Sequence, residues 1–472
     1  MFMDVAGKKV LIVGAARSGI ASAQFLAKRG AIVALNDRKP IEEWSAEALA
    51  LHHQDVGLIP GELPSWLLDQ VELVVVSPGV ATRSIPLRYA DRAGAEVIGE
   101  IELASRFLKG RIVAITGSNG KTTTTALIGQ LLRDAGLPVQ VGGNIGNALI
   151  NLVESSRDDG WTVVEVSSFQ LETIKDFHPT VALVLNVTPN HMDRYENITE
   201  YAATKHRIFM NQGSGDLAIL NADDEIVSSW AAGLRAQVTL FSVKQQLAEG
   251  LFLRDQRAIV ARVGSAERTL MMRDEMKLRG LHNVENVLAA LAAGLACGAA
   301  PESMRETIRH FEPVEHRLEF VTEIEGVKFY NDSKATSVDA ALKALEAFRD
   351  DAGKIVLILG GRGKQAPYLP LAPLVQEKVR QLILIGEDAN TIASELGSLA
   401  GHQQVGDMRE AVEQAFSSAE PGDIVLLAPA CASFDMFESF EHRGRVFKEE
   451  VASLESRVAS PGEESRVWSR ES

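Results

Sequence analysis

Cysteine is scarce in this 472-residue chain: Cys297 and Cys431 are the only two, both among apolar or small residues and without metal-ligand spacing. That excludes a disulfide scaffold or a cysteine zinc site and fits buried free thiols in a reducing compartment. Positive charge is also in short supply. Lys and Arg number 48 against 63 Asp and Glu, a formal net charge of −15, and there is no basic block. This balance argues against a non-specific nucleic-acid or anionic-membrane surface, although local cations and backbone amides can still hold an anionic ligand. Long hydrophobic runs are missing too. The longest, Val287 to Ala300, falls short of the roughly 20 residues of a membrane span. Lys8-Lys9 before VLIVGAA imitate a leader's start, but Arg17 interrupts the apolar run and a strand-turn-helix reading explains it. The expectation is a cytoplasmic monomer with no membrane span and no nucleic-acid partner.

What is present is an ordinary globular composition, 46% hydrophobic and 24% charged. At roughly 150 residues per domain the length suggests about three domains. Short β-branched runs (VLIVG, AIVALND, VELVVVS) alternate with Ala/Leu-rich stretches such as SGIASAQFLAKRG, the pattern of parallel sheets with crossover helices. It restarts at RIVAITG and again at VKFYNDS, KIVLILGG, QLILIG and DIVLLAPA. The reading is α/β with three domains: a Rossmann-like N-terminal domain over 1–100, a P-loop-type ATPase domain over 101–313, and a Rossmann-like C-terminal domain over 314–472. A frayed polar tail is expected from about Ser456.

Two glycine turns stand out. Gly14-Ala15-Ala16-Arg17-Ser18-Gly19 follows a strand and opens a helix, with Asp37 ending the next strand. Ala16 occupies the place of the middle glycine that lets backbone approach a pyrophosphate, so NAD is disfavoured; a plain tight turn and a site for another diphosphate nucleotide both remain open. Ser77-Pro78-Gly79 ends another strand that could share the same sheet edge. The second turn, Thr116-Gly117-Ser118-Asn119-Gly120-Lys121-Thr122-Thr123, lies between RIVAI and a long helix. Backbone N–H groups and a helix N-terminus there would cradle phosphate oxygens, Lys121 would neutralise β and γ charge, and the Thr122 hydroxyl would ligate Mg²⁺. Only two residues separate the glycines, so it is a shortened phosphate loop. Asn190-His191-Met192-Asp193 has His where a guanine reader needs Lys, which disfavours GTP.

The loop TGSNGKTT resembles that of the Mur ligases, ATP-dependent amino-acid ligases of peptidoglycan synthesis. GGNIG (142–146), EVSSFQLE (165–172), NVTPNHMDRY (186–195), NDSKAT (331–336) and PACASFDMF (429–437) are similar to the branch that joins D-glutamate to UDP-N-acetylmuramoyl-L-alanine. The resemblance runs from VLIVGAARSG to EHRGRVF. It implies that ATP phosphorylates the alanine carboxylate and that the glutamate amine then attacks the acyl phosphate, so catalysis rests on cations and positioning.

By the same resemblance Gly117 to Thr123, Asn286, Arg317 and Asp332 hold ATP, and Thr122, Glu165, His191 and Lys205 hold two Mg²⁺ ions. Lys205, in YAATKHRIF, matches a lysine that CO₂ carbamoylates, which turns a cation into an oxygen ligand. Asn144 stands near the acyl phosphate. Arg17, Ser18, Asn36, Asp37, Ser77, Pro78 and Gly79, with Asn144 and His191, correspond to the UDP-substrate site. Thr336, Lys364, Ser433 and Phe440 correspond to the glutamate pocket, where Arg362 replaces an acidic residue. A folylpolyglutamate synthase would place its phosphate loop near the N-terminus, whereas here more than a hundred residues precede it, and the Asp-Asn-Pro-Arg motif of diaminopimelate-adding ligases is absent. A silent nucleotide-binding scaffold would not need Lys121, Glu165, His191 and Lys205 together.

Overall fold

The computed structural model describes residues 3–80, 94–144, 146–192, 194–312, 314–349, 351–364 and 366–459. Three sheets follow one another along the chain. The first contains β1 (Lys9–Val13), β2 (Ile32–Asp37), β3 (Gly57–Pro60), β4 (Leu73–Val76) and β5 (Glu96–Gly99), ordered β3-β2-β1-β4-β5 and all parallel. Along β1 the side chains alternate: Val10 and Ile12 enter one apolar cluster, Leu11 and Val13 another. A strand buried on both faces reads as an unbroken apolar run, which is why VLIV announces itself so clearly.

The second sheet has β6 (Arg111–Thr116), β7 (Val139–Gly143), β8 (Trp161–Glu165), β9 (Val181–Val184), β10 (Leu217–Asn221), β11 (Gln237–Ser242), β12 (Gly250–Arg254), β13 (Ala258–Val263) and β14 (Ala266–Met272). Its order is β14-β13-β12-β11-β10-β9-β6-β8-β7, parallel from β7 to β12 and closed by two antiparallel pairs. The third has β15 (Glu319–Ile324), β16 (Val327–Asn331), β17 (Ile355–Gly360), β18 (Val379–Ile385), β19 (Gly401–Gln404) and β20 (Ile424–Leu427). Its order is β15-β16-β20-β17-β18-β19, with only the β15–β16 pair antiparallel.

By packing, the chain forms two compact units, Met1–Glu275 with Val284–His310, and Met276–Asn283 with Phe311–Ser472. The first two sheets thus share a unit, and helix Glu100–Ser105 joins them. Glu102, fully buried, accepts from the backbone N–H of Lys175 (2.8 Å), Asp176 and Phe177 (2.9 Å) and from Arg106. Glu100 accepts from the Ile150 N–H at 2.7 Å. A buried carboxylate is tolerated only when so many donors replace water, and the backbone donors come from the second sheet's connections.

Two features differ from the sequence reading. Segment 276–283 belongs with the third sheet's unit although it precedes residue 313: Arg279 pairs with Asp351 at 2.8 Å and Lys277 with Glu312. Pro313, at the expected junction, lies outside the described residues. The tail expected from Ser456 is still helix there. Helix Phe440–Ala459 continues because Val451 and Leu454 bury against the third sheet and Arg457 pairs with Glu413 at 2.7 Å. The apolar stretch from Val287 belongs to helix Leu281–Cys297, and among the described residues no helix is long and apolar enough to cross a membrane.

Candidate active site

β6 lies between β8 and β9, so the turn after it opens at the carboxyl edge of the second sheet, where open α/β sheets bind ligands. Gly120, at φ +83°, is the N-cap of helix Lys121–Asp134, and a Cβ there would stand 2.3 Å from the Asn286 Oδ1. No side chain caps this helix and no acid sits in its first turn, which leaves its N-terminal dipole suited to an anion. The loop is stitched to the strand-end segment after β9. Ser118 donates to the Thr188 carbonyl and accepts from its N–H (3.0 and 2.9 Å), and the Asn119 N–H donates to the Asn186 side chain at 2.8 Å. Thr122 and Thr123 are buried, and buried Asn286 accepts from the Thr124 hydroxyl at 3.2 Å.

Two lysines converge here. Lys121 Nζ donates to the carbonyls of Gly117 and Ser118, each at 2.9 Å. Lys205, 1% exposed, donates to the same Gly117 carbonyl at 2.9 Å and stands 4.5 Å from the centre of the Tyr201 ring. Burial first, and then the neighbouring Lys121 charge, hold the Lys205 amine well below the usual lysine range; Glu165 opposes them.

Glu165 ends β8, paired with Gly143 across the sheet and 1% exposed. One oxygen accepts from the Asn144 side chain at 2.9 Å; the other, Oε2, is buried with no hydrogen-bond partner. A buried carboxylate oxygen left so is expensive and calls for a cation. Gly143 permits this contact, since at φ +108° a Cβ would come within 2.4 Å of the Glu165 carbonyl. His191, after β9, adopts φ +56°, a strained conformation for a non-glycine residue, and its ring meets the edge of Phe169 at 4.9 Å. Thr122 and Glu165 offer oxygens and His191 an imidazole nitrogen, donor types that suit Mg²⁺.

In the first sheet, the Gly14 turn and the Ser77-Pro78-Gly79 turn end β1 and β4, the adjacent strands at which the order reverses. A Cβ on Gly14, at φ +104°, would stand 2.7 Å from that of Ser77, and the Ser77 hydroxyl donates to the Gly14 carbonyl at 3.1 Å. Arg17 is exposed at the start of an uncapped helix, Ser18 is half-buried, and Gly79 is exposed. Asn36 and Asp37 hold the turns instead of facing outward. Asn36 is buried and donates to the carbonyls of Ile59 and Gly61, while Asp37 accepts from the Ala15 N–H at 2.8 Å.

In the second unit, the loops after β16, β20 and β17, neighbours in the sheet, bring Asp332, Thr336, Ser433 and Lys364 to one carboxyl edge. Arg317 precedes β15, whose first residue, Glu319, pairs with Asn331, so it reaches the same edge. His316 (φ +64°) and Leu318 (φ +43°) flank it in left-handed conformations, and Ala430 (φ +58°) does the same in the loop after β20. Burial pushes the Asp332 carboxyl up to about 7, against the pull of Arg317. Lys364 is exposed, Thr336 and Phe440 are half-buried, and Ser433 is buried. Arg362 is exposed and forks onto Glu387 at 2.8 and 3.0 Å, so its charge is answered locally.

The structure adds residues that the sequence reading did not single out. Lys334, inside the quoted NDSKAT motif, lies over the Phe440 ring with Nζ 3.6 Å from its centre. Arg443, 1% exposed, ties the carbonyls of Ser333 (2.8 Å), Cys431 and Ala432 (3.2 and 3.4 Å) together. Neither carries a local sequence signal, because each acts through partners distant in the chain.

Three α/β sheets in this order, with a glycine turn opening a helix at the carboxyl edge of the second, fit a nucleotide-dependent ligase, and the chain belongs to the Mur ligase family. Its residues 8–99 match the Mur ligase MurD-like N-terminal domain, 115–294 the Mur ligase middle domain, and 316–431 the Mur ligase glutamate ligase domain. It is 47% identical over 453 residues to the UDP-N-acetylmuramoylalanine--D-glutamate ligase of Solibacter usitatus, covering 96% of this chain and 99% of that one. The protein of the same description from Pelotomaculum thermopropionicum is 48% identical over 457 residues, with the same coverage. Among solved structures, the UDP-N-acetylmuramate-alanine ligase of Thermotoga maritima superposes with a TM-score of 0.61 at 20% identity, over 95% of this chain and all of that one, which shows the shared fold.

Proposed function

We propose that this chain is a cytoplasmic, ATP-dependent ligase that joins D-glutamate to UDP-N-acetylmuramoyl-L-alanine, yielding ADP and phosphate. The observation that carries the reading is the buried constellation beside the phosphate loop: Glu165 with an unanswered oxygen, and Lys205 sealed against the Gly117 carbonyl. The relatives' shared description names the substrates. In this reading residues 1–100 bind the UDP substrate, 101–313 bind ATP and 314–472 bind the amino acid.

The substrate's alanine carboxylate attacks the γ-phosphorus of ATP, ADP leaves, and an acyl phosphate forms. The glutamate amine then attacks the acyl carbon, loses a proton, and phosphate departs as the amide bond closes. Both steps gather negative charge, so fixed cations and donors lower the barrier more than a protein nucleophile could. Gly117 to Thr123 and the helix N-terminus cradle the phosphates, Lys121 swings from its loop carbonyls onto them, and Asn144, bridged to Glu165, donates to the acyl phosphate. Asn286, Arg317 and Asp332 take the adenosine end.

Thr122, Glu165, His191 and Lys205 would hold two Mg²⁺ ions, which supply charge neutralisation at the transferred phosphoryl group. Carbamoylation needs a neutral amine, the form toward which burial pushes Lys205; CO₂ bonds to the neutral Nζ with loss of one proton, and the amine becomes an anionic oxygen ligand. Arg17, Ser18 and the Ser77-Pro78-Gly79 turn meet the uridine diphosphate, with Asn36 and Asp37 bracing those turns, and Asn144 and His191 meet the substrate's reacting end. Lys364, Thr336, Ser433 and Phe440 form the glutamate pocket. The test is phosphate release measured with each substrate withheld in turn. Turnover should require ATP, UDP-N-acetylmuramoyl-L-alanine and D-glutamate together; release that ignores the UDP substrate would refute the reading.

A further inference from the structure

The Arg194 side chain donates four hydrogen bonds. Its side chain is 16% exposed and forks onto Glu172, itself 14% exposed, at 2.8 and 3.1 Å. Its remaining donors reach the first sheet: Nη1 donates to the Pro78 carbonyl at 3.0 Å and Nη2 to the Val80 carbonyl at 3.2 Å. These carbonyls flank Gly79 in the turn that ends β4. Because a trans peptide points its C=O and N–H in opposite directions, holding the Pro78 carbonyl fixes the Gly79 N–H on the side away from the guanidinium. The Ser77 hydroxyl anchors the other end of the same turn to Gly14.

The same guanidinium lies 4.0 Å over the face of Phe169, whose edge meets the His191 ring at 4.9 Å. The backbone N–H groups of Arg194 and Tyr195 both donate to the His191 carbonyl, at 3.0 and 3.2 Å, so the two residues sit on one tight turn. The Tyr195 hydroxyl closes the arrangement by donating to Glu172 at 2.9 Å. A single cation thus grips the turn of the first sheet and brackets, through Phe169, the histidine of the second. Lysine could answer Glu172 with a point charge, but it has no planar fork to reach two carbonyls at once.

We propose that Arg194 is a positioning residue for the UDP-linked substrate, setting the Ser77–Val80 turn and His191 in mutual register so that the diphosphate and the carboxylate to be phosphorylated are held in one geometry. The phosphate loop is stitched separately, through Asn186 and Thr188, so ATP binding does not depend on this clamp. The inference rests on the function proposed above.

The test is steady-state ligation by the full-length chain, varying UDP-N-acetylmuramoyl-L-alanine and ATP in turn, for wild type, Arg194→Ala and Arg194→Lys. Misplacing reacting groups by about an ångström costs up to roughly a hundredfold, so Arg194→Ala should raise the KM for the UDP substrate and lower kcat by about tenfold each, with the KM for ATP within about twofold. Sub-denaturing guanidinium should restore part of the loss in Arg194→Ala, and Arg194→Lys should fall between. An equal rise in both KM values, or an unchanged KM for the UDP substrate, would overturn the proposal. If near-ultraviolet circular dichroism shows Arg194→Ala unfolded, Arg194→Lys and Glu172→Gln carry the same split. A wild-type chain that does not ligate would refute the function itself, whereas an active wild type without the split refutes only the role of Arg194.

Discussion

The phosphate-loop region and the carboxyl edge of the third sheet both carry lysines, but they hold them in opposite ways. Lys205 is sealed in, shares the Gly117 carbonyl with Lys121, and is pushed toward its neutral form by burial. Lys364 stands exposed, and Arg362 beside it is spent on Glu387. Burial changes what a lysine can do chemically; exposure leaves it a screened point charge that binds. In the proposed reaction the first region transforms a group and the second grips one.

The sharpest way to break this contrast is Lys205→Ala. Loss of a ligand to the ions that would neutralise transferred phosphoryl charge should cut ligation by roughly a thousandfold, and an added small carboxylate such as formate should restore a measurable fraction in a phosphate-release assay. Full activity without rescue would remove the carbamate role and make Lys205 an ordinary buried amine.

Next comes the same burial applied to an anion. Glu100 is 2% exposed, and burial raises its carboxyl from 4.5 to about 7 although the Ile150 and Leu149 N–H groups oppose it. Its folded pKa exceeds the unfolded one, so its contribution to stability is present below pH about 4.5 and is lost as pH rises through about 7. Thermal unfolding of Glu100→Gln should show a flatter pH dependence than wild type between those values, the difference amounting to about 3 kcal/mol at most. Parallel curves would show that Glu100 is not desolvated.

On the exposed side, Lys364→Ala should raise the KM for D-glutamate about ten- to a hundredfold while the KM for ATP stays put, the signature of lost substrate binding. Smallest of all, Arg362→Gln should change the KM for D-glutamate less than about twofold, since an exposed ion pair of this kind contributes about 0–1 kcal/mol. A large change there would place the guanidinium in the pocket after all.

Much of this was legible in the chain itself because it is local. β6, the glycine turn and the helix from Lys121 are consecutive, and strands buried on both faces spell VLIV or IVLL without interruption. The phosphate loop needs nothing beyond its own eight residues to declare its chemistry. What stayed hidden depends on partners far along the chain. Arg194 looks like any surface arginine until the carbonyls of Pro78 and Val80 are placed against it, and Arg443 until Ser333 and Cys431 meet it. Asn36 reads as a ligand contact at a strand end; that its amide N–H groups also hold the Ile59 and Gly61 carbonyls shows only once β3 lies beside it. The left-handed residues His191, His316, Leu318 and Ala430 are invisible to propensity because no glycine marks them; tertiary contacts impose the strain.

The most direct measurement is the ligation assay run in parallel with D-glutamate, L-glutamate and other amino acids, each with UDP-N-acetylmuramoyl-L-alanine and ATP. The account predicts stoichiometric release of ADP and phosphate with D-glutamate alone among them. Phosphate release at the same rate with every amino acid, or without the UDP-linked substrate, would contradict it.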